Sequence, residues 1–221
     1  MERFLILGAR QHAKVIVAIA RECYADCWDA AGYLDDDSAL IGTELLDLPV
    51  LGALWDMERI CRERGIGAVA IGISNRHMPL RDDLFERAKA AGLKVPSWIH
   101  CRAYVSRFAV VGEGVVLNPG VVVNAYARVG DNGTIYSNAT IEHETVLARN
   151  VYIGPGVNFS SNARVGRGTF IGAGSKIIPD IRIGANVVVG AGSVVIADVP
   201  DNVTVAGVPA RFVNDRSKTV I

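Results

Sequence analysis

A strict period of six residues runs through the second half of this 221-residue chain. From Val105 to Val195, every sixth residue is large and apolar, without an interruption or a charge. A second series, from Ala109 to Val199, follows each of these positions by four residues and contains uncharged, mostly small side chains. Neither the period of an α-helix nor that of a single β-strand gives this pattern. It predicts a β-helix, a solenoid of short strands and turns with the large residues inside.

The length of the repeat region sets the size of the solenoid. If three strands and three turns make one coil, a coil takes about 18 residues, and the sixteen hexads give a little over five coils. An ordinary β-sandwich is the alternative, but its strands would not keep one register for so long. The β-helix is therefore the predicted architecture of this half.

The first hundred residues alternate between apolar runs and helical spacing, which predicts a small parallel sheet with helices on its faces. The predicted strands are Arg3–Gly8, Ala31–Leu34, Ala68–Ile73 and Lys94–Ile99, and the predicted helices are His12–Cys23, Leu51–Gly65 and Pro79–Ala91. We expect an α/β domain over residues 1–101, a β-helix domain over 102–213 and a C-terminal tail over 214–221.

Composition excludes several classes of protein. The 23 basic and 23 acidic residues balance, which argues against a general nucleic-acid or membrane-surface binder. The four cysteines form no CxxC pair, so we expect reduced thiols rather than a disulfide framework. The start of the chain is too short for a signal peptide, and no apolar run is long enough to span a membrane. These features predict a cytoplasmic protein.

Several motifs carry a resemblance to a known family. They are the hexads that start at Val165, Ile171 and Val189, the closing Val205–Ala210 segment, the GARQHA loop from Gly8, Leu34-Asp-Asp and Ala70-Ile-Gly. Together they resemble the bacterial sugar acyltransferases with hexapeptide repeats, of the sialic acid O-acetyltransferase and UDP-4-amino-sugar N-acetyltransferase type. The resemblance implies a Rossmann-like N-terminal domain that binds a nucleotide-sugar substrate, followed by a left-handed parallel β-helix. It also implies a homotrimer with acetyl-CoA as co-substrate between adjacent β-helices.

His143 is the only histidine within the repeat, and it occupies a turn position in Ile141-Glu-His-Glu144. Acetyl transfer to an amine or hydroxyl needs a base, and imidazole is suited to this because it titrates near neutrality. The motif resembles the catalytic one of the family, which implies that His143 is the general base and Glu144 its partner. Glu142 is nearby and competes for the partner role. A solvated surface turn is the alternative for both residues.

The resemblance also implies acetyl-CoA contacts at Tyr152, Ala173 and Ala191. Tyr152 stands where some relatives carry a second histidine, and its phenol is either a hydrogen-bond donor to the thioester or a packing residue. Ala173 and Ala191 match turns whose backbone groups bind the pantetheine arm in relatives. Small residues that merely fit tight turns are the alternative.

In the first domain, Arg10, Gln11, His12, Asp35, Asp36 and Gly72 match the substrate-binding positions of the family. The loop after the first strand opens a helix, and its free N–H groups and dipole suit a phosphate group. Arg10 could pair with a diphosphate or obstruct the usual pose. His12 contacts the substrate or caps the helix. The loop is not GxGxxG, which excludes a dinucleotide cofactor.

The predicted function is acetyl transfer from acetyl-CoA to the amine of a nucleotide-linked 4-amino-4,6-dideoxy sugar, for lipopolysaccharide or other glycan biosynthesis. O-acetylation of sialic acid or a related sugar is the second prediction, because one base serves both acceptors. A β-helix scaffold without catalysis is the alternative from another class. We expect no metal, since a β-helix carbonic anhydrase needs three zinc-binding histidines and the repeat holds one.

Overall fold

The computed structural model describes residues 1–216 and divides into two compact units, with the boundary between Trp98 and Ile99. This lies three residues before the expected domain boundary. The expected tail overlaps a strand, Arg211–Asp215, and residues 217–221 of that tail lie outside the described residues. No helix among the described residues is long and apolar enough to cross a membrane.

The first unit is a five-stranded sheet in the order β3-β4-β2-β1-β5. All neighbours are parallel except β3 and β4, which form an antiparallel hairpin. The strands are β1 (Glu2–Leu7), β2 (Trp28–Leu34), β3 (Glu44–Leu45), β4 (Leu48–Gly52) and β5 (Ala68–Ile71). The helices are α1 (Gln11–Cys23), α2 (Met57–Arg64) and α3 (Met78–Ala90), with 3₁₀ turns at Leu54–Asp56 and Asn75–His77.

Two predicted elements of this unit are wrong in their bounds. The predicted helix from Leu51 begins later, because Leu51 and Gly52 belong to β4, which pairs with β2. Its helical part still buries Met57, Ile60 and Cys61, as the spacing predicts. The predicted fourth strand, Lys94–Ile99, adds to this sheet only a bridge between Lys94 and Ala68, and its last two residues, Trp98 and Ile99, form a short strand of the β-helix instead.

The second unit is a parallel β-helix with three faces, so the predicted fold class is confirmed. The first face is β7 (Tyr104–Val105), β10 (Val122–Val123), β13 (Thr140–Ile141), β16 (Asn158–Phe159), β19 (Lys176–Ile177) and β22 (Val194–Val195). The second face is β8 (Val110–Val111), β11 (Arg128–Val129), β14 (Val146–Leu147), β17 (Arg164–Val165) and β20 (Arg182–Ile183).

The third face comprises the remaining eight strands. They are β6 (Trp98–Ile99), β9 (Val116–Leu117), β12 (Thr134–Ile135), β15 (Tyr152–Ile153), β18 (Phe170–Ile171), β21 (Val188–Val189), β23 (Val203–Ala206) and β24 (Arg211–Asp215). Only β23 and β24 are antiparallel, and this hairpin ends the described solenoid. Partners in adjacent coils are 18 residues apart, as in Val123 and Ile141, which confirms the predicted coil length.

The interior holds the two predicted series. The large residues are buried from Leu117 to Val195, and the alternate small positions lie beside them. Polar members of the small series are satisfied by backbone groups: the Thr145 hydroxyl donates to the carbonyl of Ser160, and the Thr169 hydroxyl to that of Gly184. Burial of these hydroxyls therefore carries little cost.

We call the turns from the first face to the second corner 1, those from the second to the third corner 2, and those from the third to the first corner 3. Each coil contributes one turn to each corner, so residues 18 apart form a column along the solenoid. Side chains that point outward from one corner are therefore neighbours in space although they are distant in sequence.

Candidate functional site

His143 and Glu144 lie at corner 1, in a tight turn between β13 and β14. The turn is closed by the Thr145 amide, which donates to the carbonyl of Glu142 at 3.2 Å. The adjacent coils hold it on both sides, since the Glu144 amide donates to Ala125 at 3.3 Å and the Asn162 amide donates to His143 at 3.0 Å. A backbone held by hydrogen bonds on both sides thus presents two side chains to solvent, with 56% and 63% of their surfaces exposed.

The predicted partnership between the two residues is geometrically possible but loose. The Nδ1 atom of His143 lies 4.0 Å from the Glu144 carboxylate, beyond hydrogen-bond distance. Glu142 is only half-buried in the same turn, so it remains an alternative partner.

Glu144 also adopts an unusual backbone conformation, with a φ of 61°. From position 114 to 192, every sixth residue is left-handed, and these positions are occupied by Gly, Asn or Asp except at Tyr126 and Glu144. Residues with larger side chains rarely adopt this conformation, and such strain is found preferentially at functional sites. The six-residue series of Gly and Asn made these two exceptions visible in the sequence, but sequence reasoning missed them.

Ala173 and Ala191 lie in successive coils at corner 3, where both are exposed. Their amide groups donate no hydrogen bond to any described residue, so the column offers two outward N–H donors. The coils approach closely here, because a Cβ atom on Gly172 would lie 2.5 Å from the Ala191 nitrogen. The glycine is thus needed for the stacking that places these amides in line.

Tyr152 lies apart from His143 and Glu144. It is on β15 of the third face, and in a three-sided coil that face is opposite corner 1. The side chain is buried, its hydroxyl donates to the hydroxyl of Tyr136 at 2.8 Å, and its ring packs 6.0 Å from that of Phe170. Within one chain, the structure does not bring Tyr152 and His143 together.

In the first unit, the predicted substrate residues lie at the carboxyl ends of β1, β2 and β5. The sheet extends from β1 in both directions, so the ends of β1 and β5 flank the point where ligands bind in open parallel sheets. Gly8 and Gly72 meet there, and a Cβ atom on Gly8 would lie 3.0 Å from the carbonyl oxygen of Gly72. Only glycine allows this approach, since Gly8 also has a φ of 103°.

The acidic residues after β2 hold the loops of this edge together. Asp35 is buried and accepts hydrogen bonds from the amides of Ala9 and Asp37 at 2.8 and 3.0 Å. Asp36 is exposed and accepts from the amide of Leu54 at 2.8 Å. Both carboxylates therefore order the site, and each keeps further acceptor capacity for a ligand.

Arg10 and Gln11 are exposed, whereas His12 is buried. The Arg10 guanidinium forms an ion pair of 2.7 Å with Asp37, a residue that sequence reasoning missed because the two lie in different loops. Burial, together with the nearby Arg81 charge, lowers the pKa of His12 to about 3, so the ring is neutral at pH 7. The helix-capping alternative for His12 is wrong, because Arg10 occupies the cap position of α1.

Comparison with known proteins identifies relatives over the whole described chain. Residues 162–197 match the bacterial transferase hexapeptide (six repeats) family, and residues 3–87 match the PglD N-terminal domain. A perosamine N-acetyltransferase from Caulobacter crescentus, solved with CoA and GDP-perosamine, is 33% identical, with a TM-score of 0.88 over 97% of this chain and 98% of that one.

Two further solved structures share this architecture. The acetyltransferase domain of PglB from Neisseria gonorrhoeae, solved with acetyl coenzyme A, is 30% identical, with a TM-score of 0.86 over 96% of this chain and 99% of that one. WeeI from Acinetobacter baumannii is 24% identical, with a TM-score of 0.84 over 96% of this chain and 100% of that one, and shows the common fold.

Proposed function

Because this chain belongs to the bacterial sugar acyltransferases with hexapeptide repeats, we propose that it transfers the acetyl group of acetyl-CoA to the amine of a nucleotide-linked 4-amino-4,6-dideoxy sugar. The observation that carries this proposal is the exposed His143–Glu144 turn on a scaffold whose relatives bind CoA or acetyl-CoA. The relative that is a perosamine N-acetyltransferase, 33% identical to this chain, favours an amine acceptor over the alternative of a sialic acid hydroxyl.

In this mechanism, His143 is the general base for direct attack on the thioester. The sugar amine forms a bond to the thioester carbonyl carbon while the imidazole accepts its proton. The C–S bond then breaks, and the CoA thiolate takes the proton from the imidazolium, which restores the neutral ring. Glu144 stabilises the imidazolium during the step, because its carboxylate lies 4.0 Å from Nδ1.

We assign the donor to corner 3, where the Ala173 and Ala191 amides are available to hydrogen-bond the amide carbonyls of pantetheine. Tyr152 lies on the third face, opposite His143, so one acetyl-CoA can contact both residues only if they belong to different chains. A homotrimer, in which two chains share one acetyl-CoA, is therefore part of the proposal. Flat faces of short parallel strands are suited to such packing.

We assign the nucleotide-sugar to the first unit and to Arg10, Gln11, His12, Asp35, Asp36 and Gly72. Arg10 and Gln11 are the exposed members, and a diphosphate would replace Asp37 as the partner of Arg10. Asp35 acts by fixing the Ala9 amide, and His12 is buried in the first turn of α1, directly after the loop. The proposed reaction takes place in the cytoplasm, where acetyl-CoA and nucleotide-sugars are substrates of glycan synthesis.

The test is an acetyl-CoA consumption assay against UDP-, dTDP- and GDP-linked 4-amino sugars, with sialic acid as the hydroxyl acceptor. We expect one nucleotide-linked amine to be acetylated and its 4-hydroxy counterpart to be inert. Acetylation of sialic acid alone would replace the proposal with O-acetyl transfer. Absence of transfer to every acceptor, in protein that binds acetyl-CoA, would support a scaffold without catalysis.

Sedimentation equilibrium tests the assembly separately. A homotrimer has three times the mass of the 23.6 kDa chain. A monomer at micromolar concentration that still acetylates the sugar would contradict the shared donor site.

A further inference from the structure

Two exposed aromatic rings stack at corner 1 in the first coils of the β-helix. The rings of Phe108 and Tyr126 are 5.6 Å apart and inclined by 28°, although 49% and 61% of these residues are exposed. The Arg107 guanidinium lies 4.6 Å from the centre of the Phe108 ring. This arrangement leaves a broad aromatic surface facing solvent, which is unusual at a turn that needs only small residues.

The backbone of Tyr126 makes this choice of residue costly. Its φ of 64° is left-handed, where a bulky side chain is strained and Gly or Asn is preferred. In the same column, Asn162 and Asp180 occupy the corresponding turns. The ring buries little and holds nothing in the solenoid core, so stability does not account for its presence.

The aromatic surface lies close to His143, the proposed base, along corner 1. Tyr126 stands one coil before Glu144 in the same column, and the hydrogen bond from the Glu144 amide to Ala125 joins the two turns directly. Successive coils are about 4.8 Å apart, so the rings begin within the width of one hexose from His143. Ala173 and Ala191, assigned to the donor, lie in coils on the opposite side of His143 along the solenoid.

We propose that Phe108 and Tyr126, with Arg107, form an acceptor platform on which the C–H face of the amino-sugar ring packs while its amine reaches His143. This inference rests on the proposed function, which places the amine at His143. Aromatic rings offer the large flat apolar surface that one face of a hexose matches, and the Arg107 guanidinium packs against the Phe108 ring. Tyr126 and Phe108 are thus positioning residues that select the acceptor.

The decisive variant is Tyr126→Asn, because asparagine is the residue that this backbone conformation prefers. We expect the KM for the acceptor to rise about 3- to 10-fold, the measure of one lost aromatic contact. The KM for acetyl-CoA should not change, and the unfolding temperature should rise by about 2–4 °C through relief of strain. Tyr126→Phe retains the ring and should keep the wild-type acceptor KM, while Phe212→Asn controls for loss of an exposed aromatic elsewhere.

The experiment separates this inference from the proposed function. Binding is followed by saturation-transfer NMR on the hexose protons of a nucleotide-linked 4-amino sugar, and transfer by acetyl-CoA consumption. Transfer with an unchanged acceptor KM in Tyr126→Asn would overturn the platform and leave the function standing. Hexose binding that depends on Tyr126, without any transfer, would support the platform and overturn the function.

Three further outcomes would overturn the platform. A lower unfolding temperature in Tyr126→Asn would mean that the ring supports the fold. A loss of assembled mass in sedimentation, in either Tyr126→Asn or Phe108→Ala, would mean that the aromatic surface is a contact between copies of the chain. Absence of both binding and transfer for every nucleotide-linked amino sugar would overturn the platform and the proposed function together.

Discussion

The two units of this molecule place their functional groups in opposite ways. In the β-helix, each coil repeats the last, and the candidate catalytic residues are exceptions at single positions of a column. In the α/β unit there is no repeat, and the candidate residues are brought together from loops after different strands, as with Arg10 and Asp37. In the β-helix, the residues that stabilise the fold therefore differ from the candidate catalytic residues. In the α/β unit, the same side chains hold the loops together and are the candidates for binding the substrate.

The largest expected effect tests whether activity and stability depend on different residues in the β-helix. His143→Ala should lower kcat by about 10²–10⁴-fold, because it removes the general base, while both KM values stay within a few-fold. The unfolding free energy should change little, since the side chain is exposed. Ser161→Ala, one coil later in the same column, is the matched control and should keep full activity. Near wild-type chemistry in single-turnover measurements of His143→Ala would place the base elsewhere.

The second effect compares two glycines of one turn, of which Gly172 is buried against the next coil and Gly174 is exposed. Gly172→Ala should cost about 3 kcal/mol, because its Cβ would lie 2.5 Å from the backbone nitrogen of Ala191. Gly174→Ala, two residues away, meets no atom within 4 Å and should cost only about 1 kcal/mol through its φ of 71°. Urea unfolding of the pair measures the difference. Equal losses would show that coil stacking is looser than the structure indicates.

The third effect concerns pH and belongs to the α/β unit alone. The folded pKa of His12 is about 3, below its unfolded value near 6.5, so the unfolded chain binds the proton first as pH falls. The contribution of His12 to the free energy of unfolding is therefore fully present above pH 6.5 and declines toward pH 3, with a loss of about 2 kcal/mol by pH 5. His12→Gln should remove this dependence.

The tryptophans allow this loss to be measured in one unit. Trp28 and Trp55 belong to the first unit, and Trp98, the last residue before the boundary, packs against the rings of Phe4 and Trp28, so tryptophan fluorescence mainly follows the unfolding of this unit in urea. A wild-type tryptophan transition with the same midpoint at pH 7.5 and 5 would contradict the burial of a neutral His12.

The smallest expected effect on stability comes from the exposed ion pair. Arg10→Ala should change the unfolding free energy by less than about 0.5 kcal/mol, because 67% of the Arg10 side chain is exposed. The KM for the nucleotide-sugar should nevertheless rise several-fold, and that for acetyl-CoA should not. Asp37→Ala serves as the control, since it removes the ion pair but not the proposed diphosphate contact. An equal rise in both KM values would contradict the assignment.

The same contrast explains what sequence could predict. The period of six determined the interior residues and the coil length, because every buried position in the solenoid is reinforced by its neighbours one coil away. Leu51, by contrast, was placed in a helix although it lies in β4, since a short apolar run fits both structures. Six residues per side of the coil are enough to place Tyr152 on the face opposite His143. The hydrogen bond between its hydroxyl and that of Tyr136 could not be predicted in this way.

The site residues differ in the same way between the two units. His143 was visible in the sequence because it is the only histidine of the repeat and its turn resembles the catalytic motif of the family. The partners of Asp35 and Arg10 were not visible, because they depend on how loops after separate strands meet. The left-handed turn at Tyr126 was present in the sequence as a break in the Gly and Asn series, and it required the backbone angles to be recognised.

The 18-residue offset between paired strands makes the β-helix a ruler. Groups along a corner can be separated only by whole coils, in steps of about 4.8 Å, and never by intermediate distances. Insertion or deletion of one complete coil would lengthen or shorten the span between two sets of contacts without disturbing either set. Such a scaffold can therefore accommodate molecules that differ in length by a fixed step, while the residues that contact each end of the molecule stay the same.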